Sequence, residues 1–228
     1  LADESRPTTL KEKYRSSQKT LLRVNYLKQH SLSKELQEKL VAKVAELIPE
    51  LDLLIFSDFN YGCLPQPLVN RITVLCKQNG VKVVADSQSS SQVGDISRFR
   101  GMDLITPTER EARLALKDFE SGLVALADNL GEAAQAENVI ITLGSEGIFV
   151  HPKWNDHELA DDRLPAFNPN PKDTAGAGDS FLTSCSMAFT VNNNLWRSAY
   201  IGCIAAACQV SRLGNIPLTS HQLEKELQ

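Results

Sequence analysis

Residues 173–181, with the sequence Asp-Thr-Ala-Gly-Ala-Gly-Asp-Ser-Phe, have the clearest potential for chemistry in this chain. The small residues Gly176, Ala177 and Gly178 allow a tight turn that points backbone N–H groups to one place. The helix predicted to follow adds partial positive charge at its N-terminus, which suits a phosphate or a developing phosphoryl oxyanion. Asp179, at the start of that helix, can accept a proton from a hydroxyl. An anion-binding turn beside a carboxylate base is the minimal equipment for phosphoryl transfer to an alcohol.

A second glycine-rich turn, Thr-Leu-Gly-Ser-Glu-Gly at 142–147, lies between two predicted strands. By itself it is typical of a hairpin. The Gly-Ala-Gly-Asp string by itself also fits an ordinary N-capped helix after a small-residue turn. On the residues alone, both structural alternatives stay open.

Three further carboxylates follow predicted strands. Asp58 and Asp86 each come after a short apolar run, and either could simply cap the turn that follows it. Glu111 lies three residues after Thr108, which is the spacing of a capping box at a helix N-terminus. These positions are therefore candidates for a site and for structural caps alike.

The elements that must position these residues alternate between strand and helix. Such alternation predicts a parallel sheet with helices on both faces, and ligands in such sheets bind at the carboxyl ends of the strands. Strands are predicted at 51–56, 81–85, 104–106, 139–143 and 147–150, and helices at 33–49, 65–80, 108–116, 121–136, 177–190 and 195–210, with a short polar helix at the end. The region 151–172 is predicted to be irregular and could cover a site. The carboxyl-end rule brings 58–62, 86–88 and 107–111 together with the Asp179 turn.

Two segments near the N-terminus, 6–11 and 21–24, are predicted strand pieces without an obvious partner. There is no initiator methionine, so we expect the chain to begin inside a longer protein. We expect residues 1–228 to form one domain that lacks its N-terminal strands. Unpaired sheet edges could pair with a partner strand, so a homodimer is also considered.

Composition bears on the kind of protein and on its compartment rather than on its activity. The 228 residues are 42% hydrophobic and 23% charged, which is ordinary for one globular domain. The formal charge of −4 gives no reason to expect nucleic-acid binding, and no apolar run approaches the roughly 20 residues that cross a bilayer. Five cysteines without metal spacing indicate reduced, mostly buried thiols in a cytosolic protein, and four scattered histidines form no ligand pattern.

The string at 173–181 resembles the C-terminal signature of the PfkB or ribokinase-like carbohydrate kinases. The segment 142–147 is similar to their Thr-x-Gly-x-x-Gly turn and precedes the first string by about 30 residues, in the family's order. The resemblance implies a ribokinase-like three-layer α/β/α sandwich with a mostly parallel central sheet. It also implies ATP and Mg²⁺, with Asp179 as the catalytic base and the backbone of the Gly176–Gly178 turn stabilising the transferring phosphoryl.

The resemblance implies further site residues. Thr142, Gly144 and Gly147 would follow the nucleotide, with Asp86 nearby. Glu111 matches the glutamate of the family's Asn-x-x-Glu, which orders Mg²⁺-bound water, although Thr108 replaces the asparagine.

The segments 6–11 and 21–25 narrow the resemblance to the heptose-phosphate kinase half of ADP-heptose synthases. Lys11 and Arg23 are then candidates to bind an anionic sugar phosphate, and exposed basic residues on edge strands are the alternative. The resemblance implies that the chain lacks part of the family's sugar pocket. Members of that subfamily tend to have lysines where this chain has Tyr61 and Gln88. A neutral side chain does not replace the positive charge that a lysine contributes near phosphates.

The expected function is therefore ATP-dependent phosphorylation of a sugar hydroxyl, with a heptose or heptose phosphate as the favoured acceptor. A pentose, hexose or nucleoside acceptor is an alternative within the same class. The missing lysines also support a different class, a kinase-like sensor of nucleotide or sugar phosphate or a partner subunit without turnover.

Overall fold

The computed structural model describes residues 1–16, 19–89, 93–152 and 161–227. Within these ranges the strands form a two-stranded antiparallel ribbon and a six-stranded sheet. The ribbon consists of β1 (Leu10–Ser16) and β2 (Lys19–Tyr26). The main sheet contains, in order across it, β3 (Leu53–Asp58), β4 (Lys82–Ser87), β5 (Leu104–Ile105), β6 (Asn138–Thr142), β7 (Ile148–Pro152) and β8 (Asp162–Leu164).

Neighbouring strands from β3 to β6 are parallel, and β7 and β8 continue the sheet antiparallel. The helices are α1 (Lys34–Leu47), α2 (Gln66–Gln78), α3 (Glu109–Leu116), α4 (Leu123–Ala134), α5 (Ala177–Asn192), α6 (Leu195–Val210) and α7 (Ser220–Glu226). Each of the predicted helices and main-sheet strands is confirmed, with boundaries shifted by up to about three residues.

Two apolar cores lie on opposite faces of the main sheet. One core joins α1, α2, α3 and α4 to residues such as Val83, Ala85 and Ile105, and the other joins α5 and α6 to Val84 and Leu104. Adjacent residues of a strand therefore enter different cores, as the pleat of a sheet requires. The predicted three-layer sandwich with a mostly parallel central sheet is confirmed.

Local sequence signals explain where the helices begin. Ser33 accepts the N–H of Leu36 at 3.2 Å and caps α1, as its position predicted. Thr108 caps α3 in a complete capping box with Glu111. Pro65 precedes α2 and fixes an extended backbone there, which matches its predicted role in opening the helix.

Two expectations about the irregular parts need correction. The N-terminal strand pieces do have a partner, because β1 and β2 pair with each other, and β1 begins at Leu10 rather than at Arg6. The region 151–172 contains the edge strand β8, while its residues 153–160 lie outside the described part. The single-domain organisation over 1–228 stays a prediction.

The cysteines are free, as predicted. Cys76, Cys185 and Cys203 are buried, and burial raises the pKa of Cys185 and Cys203 to about 12, so both thiols are unreactive core groups. Among the described helices, none combines the length and the apolar character that crossing a bilayer requires.

Candidate active site

Four carboxylates from four elements gather at the carboxyl end of the parallel strands. Asp58 ends β3 and is buried, and Asp86 lies beside the buried Ser87 at the end of β4. Glu111, in the first turn of α3, is 9% exposed. Asp58, Glu111 and Asp179 all act electrostatically on Asp86. The structure therefore brings together the strand-end segments that the sequence predicted to meet.

Asp86 has the least favourable environment for a charge. Its own burial, followed by the negative charges of Glu111 and Asp179, raises the pKa of Asp86 to about 7. Burial and like charges both disfavour the ionised form of a carboxylic acid. The cluster consequently carries excess negative charge at neutral pH, which a bound cation would relieve.

Asp179 lies in the first turn of α5, directly after the glycine turn. Gly176 has the left-handed φ of 79°, and a Cβ atom there would lie 2.0 Å from the side-chain oxygen of Asn215. The left-handed φ favours glycine at this position, and a larger side chain would also have to displace the Asn215 side chain. The first helical bond runs from the N–H of Ser180 to the carbonyl of Gly176 at 2.9 Å.

The N–H groups of residues 177–179 therefore precede the regular bonding pattern of the helix, as expected at an N-terminus. Ala177 is a partial exception among the predicted phosphoryl-binding groups, since its N–H donates to the carbonyl of Thr174 at 3.3 Å. That bond is long for an N–H···O contact. The assignment of Gly176, Ala177 and Gly178 to the phosphoryl group stays a prediction.

Gln88, which the sequence marked only as a missing lysine, contacts the predicted base directly. Its side-chain Nε2 donates to Oδ1 of Asp179 at 3.1 Å. The two residues are separated by 91 positions along the chain. The structure thus places a neutral donor on Asp179, at the position where the resemblance described above led us to expect a lysine.

Glu111 is held by the protein through both carboxylate oxygens. Oε2 accepts the N–H and the hydroxyl of Thr108 at 2.9 and 2.8 Å, and Oε1 accepts the N–H of Ser89 at 2.7 Å. A carboxylate offers about four lone-pair sites, so Oε1 retains one. This arrangement fits a magnesium-bound water, since Mg²⁺ keeps several waters and needs few protein ligands. In the described ranges, no group of three His, Cys, Asp or Glu side chains forms a ready-made metal site.

The turn at 142–147 lies between α3 and β8. Thr142 donates its N–H to the carbonyl of Pro107 at 2.8 Å and forms a bridge with Thr108. Gly144 has open space at its Cβ position, whereas a Cβ on Gly147 would lie 2.0 Å from the carbonyl oxygen of Leu164. Gly147 is thus required for packing, and Gly144 is the more accessible of the two glycines.

The ribbon brings Lys11 to the carboxyl end of β3. The Lys11 ammonium lies 4.6 Å from the ring centre of Phe59 and 5.2 Å from that of Tyr61, and these rings stack on each other. Arg23 is opposite Lys13 in the ribbon and therefore shares the Lys11 face. Both predicted acceptor-binding residues are exposed on the face of the ribbon that turns toward the strand ends.

A cavity of about 420 Å³ lies beside α6. Phe167 and Tyr200 line it, with their rings packed edge to face at 5.2 Å, and Asn168 and Ile204 contribute to its wall. The cavity is linked to the second glycine turn because Gly147 packs on residues 164–166, directly before Phe167. The expectation that the irregular region covers a site stays a prediction, and the sequence singled out none of the side chains that line this cavity.

Two polar supports of the site were also missed. Arg98 donates to Oδ2 of the buried Asp58 at 2.6 Å and covers the Phe99 ring at 4.2 Å. Gln209, almost fully buried on α6, donates to the carbonyl of Ala175 at 3.1 Å and so supports the glycine turn from behind. In the sequence, Gln209 is a polar residue after an apolar run, and Arg98 lies in the mixed polar and apolar segment 95–101. Neither pattern reveals a distant partner.

Comparison with known proteins gives one matching family and many related structures. The model of the pfkB family of carbohydrate kinases matches residues 2–221. The bifunctional protein HldE of Desulfatibacillum aliphaticivorans is 27% identical over all of this chain and 46% of its own length. HldE of Sulfurimonas denitrificans is also 27% identical, over 97% of this chain and 45% of its own length. The chain thus spans about half the length of the curated relatives it matches.

Solved structures give the same fold. Ribokinase from Thermotoga maritima is 25% identical, covers 90% of this chain and 65% of its own, and superposes with a TM-score of 0.66. Phosphofructokinase-2 from Escherichia coli, in complex with potassium, is 16% identical with the same coverage and a TM-score of 0.72. Ribokinase from Giardia lamblia is 18% identical, covers 97% of this chain and 72% of its own, and has a TM-score of 0.73. The predicted ribokinase-like fold is confirmed.

Proposed function

The chain belongs to the pfkB family of carbohydrate kinases, and from this premise we propose that it transfers the γ-phosphoryl group of ATP to a sugar hydroxyl. The observation that carries the proposal is the position of Asp179. It lies between the glycine turn at the start of α5 and the strand-end carboxylates, with one oxygen held by Gln88. A base beside a helix N-terminus can accept the proton of an alcohol while the N-terminus binds the phosphoryl group.

In the proposed reaction, the acceptor oxygen attacks the γ-phosphorus and its proton passes to Asp179. The new bond joins the acceptor oxygen to the γ-phosphorus. The bond that breaks joins that phosphorus to the oxygen bridging to the β-phosphate, and ADP leaves with that oxygen. The backbone N–H groups of Gly176, Ala177 and Gly178 stabilise the negative charge on the transferring group, for which Ala177 must release its long bond to Thr174.

Glu111 is the residue proposed to hold Mg²⁺, through bound water at its remaining Oε1 site. When bound with ATP, the metal ion neutralises phosphate charge and orients the transferring group. The raised pKa of Asp86 supports this assignment, because it reflects burial first and then the negative charges of Glu111 and Asp179 at the same strand ends.

The cavity beside α6 and the second glycine turn define the proposed ATP position. We propose that the base of ATP lies against the Phe167 and Tyr200 rings and the apolar residues of α6, such as Ile204, that line this cavity. From there the phosphates extend past Thr142, Gly144 and Gly147 toward the α5 turn, with Asp86 close to their end. Residues 164–166, which pack on Gly147, lead directly to Phe167 in the cavity wall, and this supports a path that joins the two parts.

We further propose a heptose or a heptose phosphate as the acceptor. This finer assignment draws on the N-terminal resemblance described above and on the two HldE relatives. Lys11 and Arg23 share the inner face of the ribbon, where cationic side chains can meet an anionic sugar phosphate. A neutral pentose or hexose would have less use for two cations at this position.

A kinase-like binding protein without turnover is the second candidate. The observation that favours it is the neutral character of Tyr61 and Gln88, which stand where related kinases have lysines. The contact between Gln88 and Asp179 weighs against it, since a protein that only binds has no need to hold that carboxylate.

The deciding experiment measures ADP release with ATP and Mg²⁺, offering heptose 7-phosphate and a panel of pentoses, hexoses and nucleosides. Turnover that is highest with the heptose phosphate and is lost in Asp179→Asn supports the full proposal. Turnover with another sugar alone would retain the kinase and discard the heptose acceptor. ATP binding without turnover on any acceptor would favour the second candidate.

We also propose that the chain forms a homodimer through the outer face of the ribbon. Leu10, Tyr14, Leu22 and Tyr26 lie on the face opposite Lys11, and each is more than 50% exposed. Two copies of this largely apolar face, which also carries Glu12, can pack about a two-fold axis. Escherichia coli phosphofructokinase-2, which shares the fold, has a structure described as a tetrameric inhibited form.

The free cysteines support the cytosolic setting expected from the sequence.

A further inference from the structure

The backbone of Gln88 is held in place by two hydrogen bonds. Its N–H donates to the carbonyl of Asp58 at 2.8 Å, and its carbonyl accepts the side-chain amide of Asn60 at 2.8 Å. Asn60 itself adopts a left-handed backbone and donates its N–H to Oδ1 of Asp58 at 3.0 Å. The side chain of Gln88 therefore starts from a point defined by two neighbouring strand ends.

From that point the amide reaches across to α5 and donates to one oxygen of Asp179 at 3.1 Å. A carboxylate in the first turn of a helix can rotate about its side-chain bonds. Proton transfer requires the accepting oxygen to lie within about 2.6–3.2 Å of the hydroxyl. One donor on Oδ1 restricts the rotation of the carboxylate.

Resting on the proposed function, we infer that Gln88 is a positioning residue for the base Asp179. It holds Oδ1 so that Oδ2 takes the proton of the acceptor hydroxyl. The neutral amide achieves this among the carboxylates of Asp86, Glu111 and Asp58 without forming an ion pair with Asp179. The role belongs to the side chain alone, because the bonds to Asp58 and Asn60 use the backbone of Gln88 and survive its substitution.

The test is a substitution series that separates donation from size. Gln88→Met keeps the length of the side chain but cannot donate a hydrogen bond. Gln88→Glu keeps the shape but places a second negative charge beside Asp179. Gln88→Lys keeps a hydrogen-bond donor. Since hydrogen bonds to charged groups are the stronger ones, we expect kcat to fall about 10-fold in Gln88→Met and about 100-fold in Gln88→Glu. Gln88→Lys should retain several-fold more turnover than Gln88→Met.

The Michaelis constants and the melting temperature distinguish positioning from a structural role. The KM for ATP and for the acceptor should stay within about twofold in Gln88→Met, and its melting temperature should stay near that of the parent chain. A parent-like kcat in Gln88→Met would overturn the inference. A loss that appears in KM or in the melting temperature, with kcat retained, would overturn it too.

A measurement without turnover keeps the inference separate from the kinase proposal. In the ¹⁵N-labelled chain, the side-chain amide signal of Gln88 is identified by its disappearance in Gln88→Met. We expect this signal to shift in Asp179→Asn and to stay in place in the remote control Asp52→Asn. An unchanged signal in Asp179→Asn would overturn the contact even if the chain is an active kinase. Absence of turnover in the parent chain would instead overturn the proposed function, while the amide signal still decides whether Gln88 holds Asp179.

Discussion

The end of the parallel sheet and the N-terminal ribbon differ sharply in how they hold their charged residues. Asp58, Asp86 and Glu111 are buried and carry defined bonds to backbone groups or to neighbouring side chains. Lys11 and Arg23 are exposed on two strands that lie outside the main sheet. A two-stranded sheet is marginally stable on its own. In the proposed kinase, the rigid sheet therefore supplies the chemistry, and the less constrained ribbon supplies the recognition of the acceptor.

The largest effect is expected from replacing Asp179, the proposed catalytic base at the end of the parallel sheet. Asp179→Asn removes the proton acceptor without a change in size, so kcat should fall by about 10²–10⁴-fold. The affinity for ATP should stay within about twofold, measured by calorimetry. Asp52→Asn, exposed at the opposite end of β3, is the matched control and should behave like the parent chain. Equal losses of turnover and ATP affinity in Asp179→Asn would contradict its role as base.

Asp86 tests how much burial and repulsion between carboxylates destabilise the carboxyl end of the sheet. Its pKa of about 7 lies above the ordinary value of 3.8, so the folded chain binds a proton that the unfolded chain has released between these pH values. The contribution of Asp86 to stability is thus fully present below about pH 3.8 and is lost as the pH rises through 7.

Asp86→Asn imitates the protonated form at every pH. Without nucleotide or metal, its unfolding free energy should match that of the parent chain near pH 4 and exceed it at pH 8 by an amount on the order of a few kcal/mol. Urea denaturation at both pH values measures this. A difference that is the same at pH 4 and pH 8 would show that charge at Asp86 is not the cause.

On the ribbon side, Lys11 should affect recognition without affecting the chemical step. Lys11→Ala removes a cation from the face that turns toward the strand ends, so the KM for a phosphorylated acceptor should rise about tenfold, with kcat within about twofold. Steady-state kinetics with heptose 7-phosphate measures both. Lys43→Ala, on the exposed face of α1, is the control. An unchanged KM in Lys11→Ala would leave its packing on Phe59 and Tyr61 as its main role.

The outer face of the ribbon should affect assembly more than activity. Leu22→Asp introduces a charge into the apolar face and should convert a dimer into a monomer, seen by sedimentation velocity, with a small change in kcat. Val74→Asp on α2 adds a charge at a similarly exposed position and should leave the dimer intact. A monomeric parent chain would remove the basis for the homodimer.

The fold followed from the sequence wherever local pattern and tertiary structure agree. The apolar runs of β3 to β7 and the caps Ser33 and Thr108 gave the order and type of the elements. The ends of β3 and β4 were placed two residues early, because Asp58 and Ser87 are polar yet buried. The pairing of β1 with β2 was missed because most of their side chains are exposed and give no burial signal.

The site was predictable as a set of residues but not as a set of contacts. Motif order identified Asp179, Glu111 and the two glycine turns, since each motif is continuous in sequence. The bond between Gln88 and Asp179 joins residues 91 positions apart, and the ion pair between Arg98 and Asp58 joins residues 40 positions apart. No local pattern specifies such partners, because they are chosen by the packing of the strands and helices between them.

The short loop after β3 has a consequence for how acceptor preference can change. On one side, the guanidinium of Arg6 donates to the carbonyl of Tyr61 at 2.6 Å and also to that of His30, which ties both ends of the ribbon to this loop. On the other side, Asn60 holds the backbone of Gln88. A change that moves the backbone of residues 59–62 thus alters the attachment of the ribbon and the support of the base together. Redesign of the acceptor pocket has to begin within β1 and β2, where a change leaves the base undisturbed.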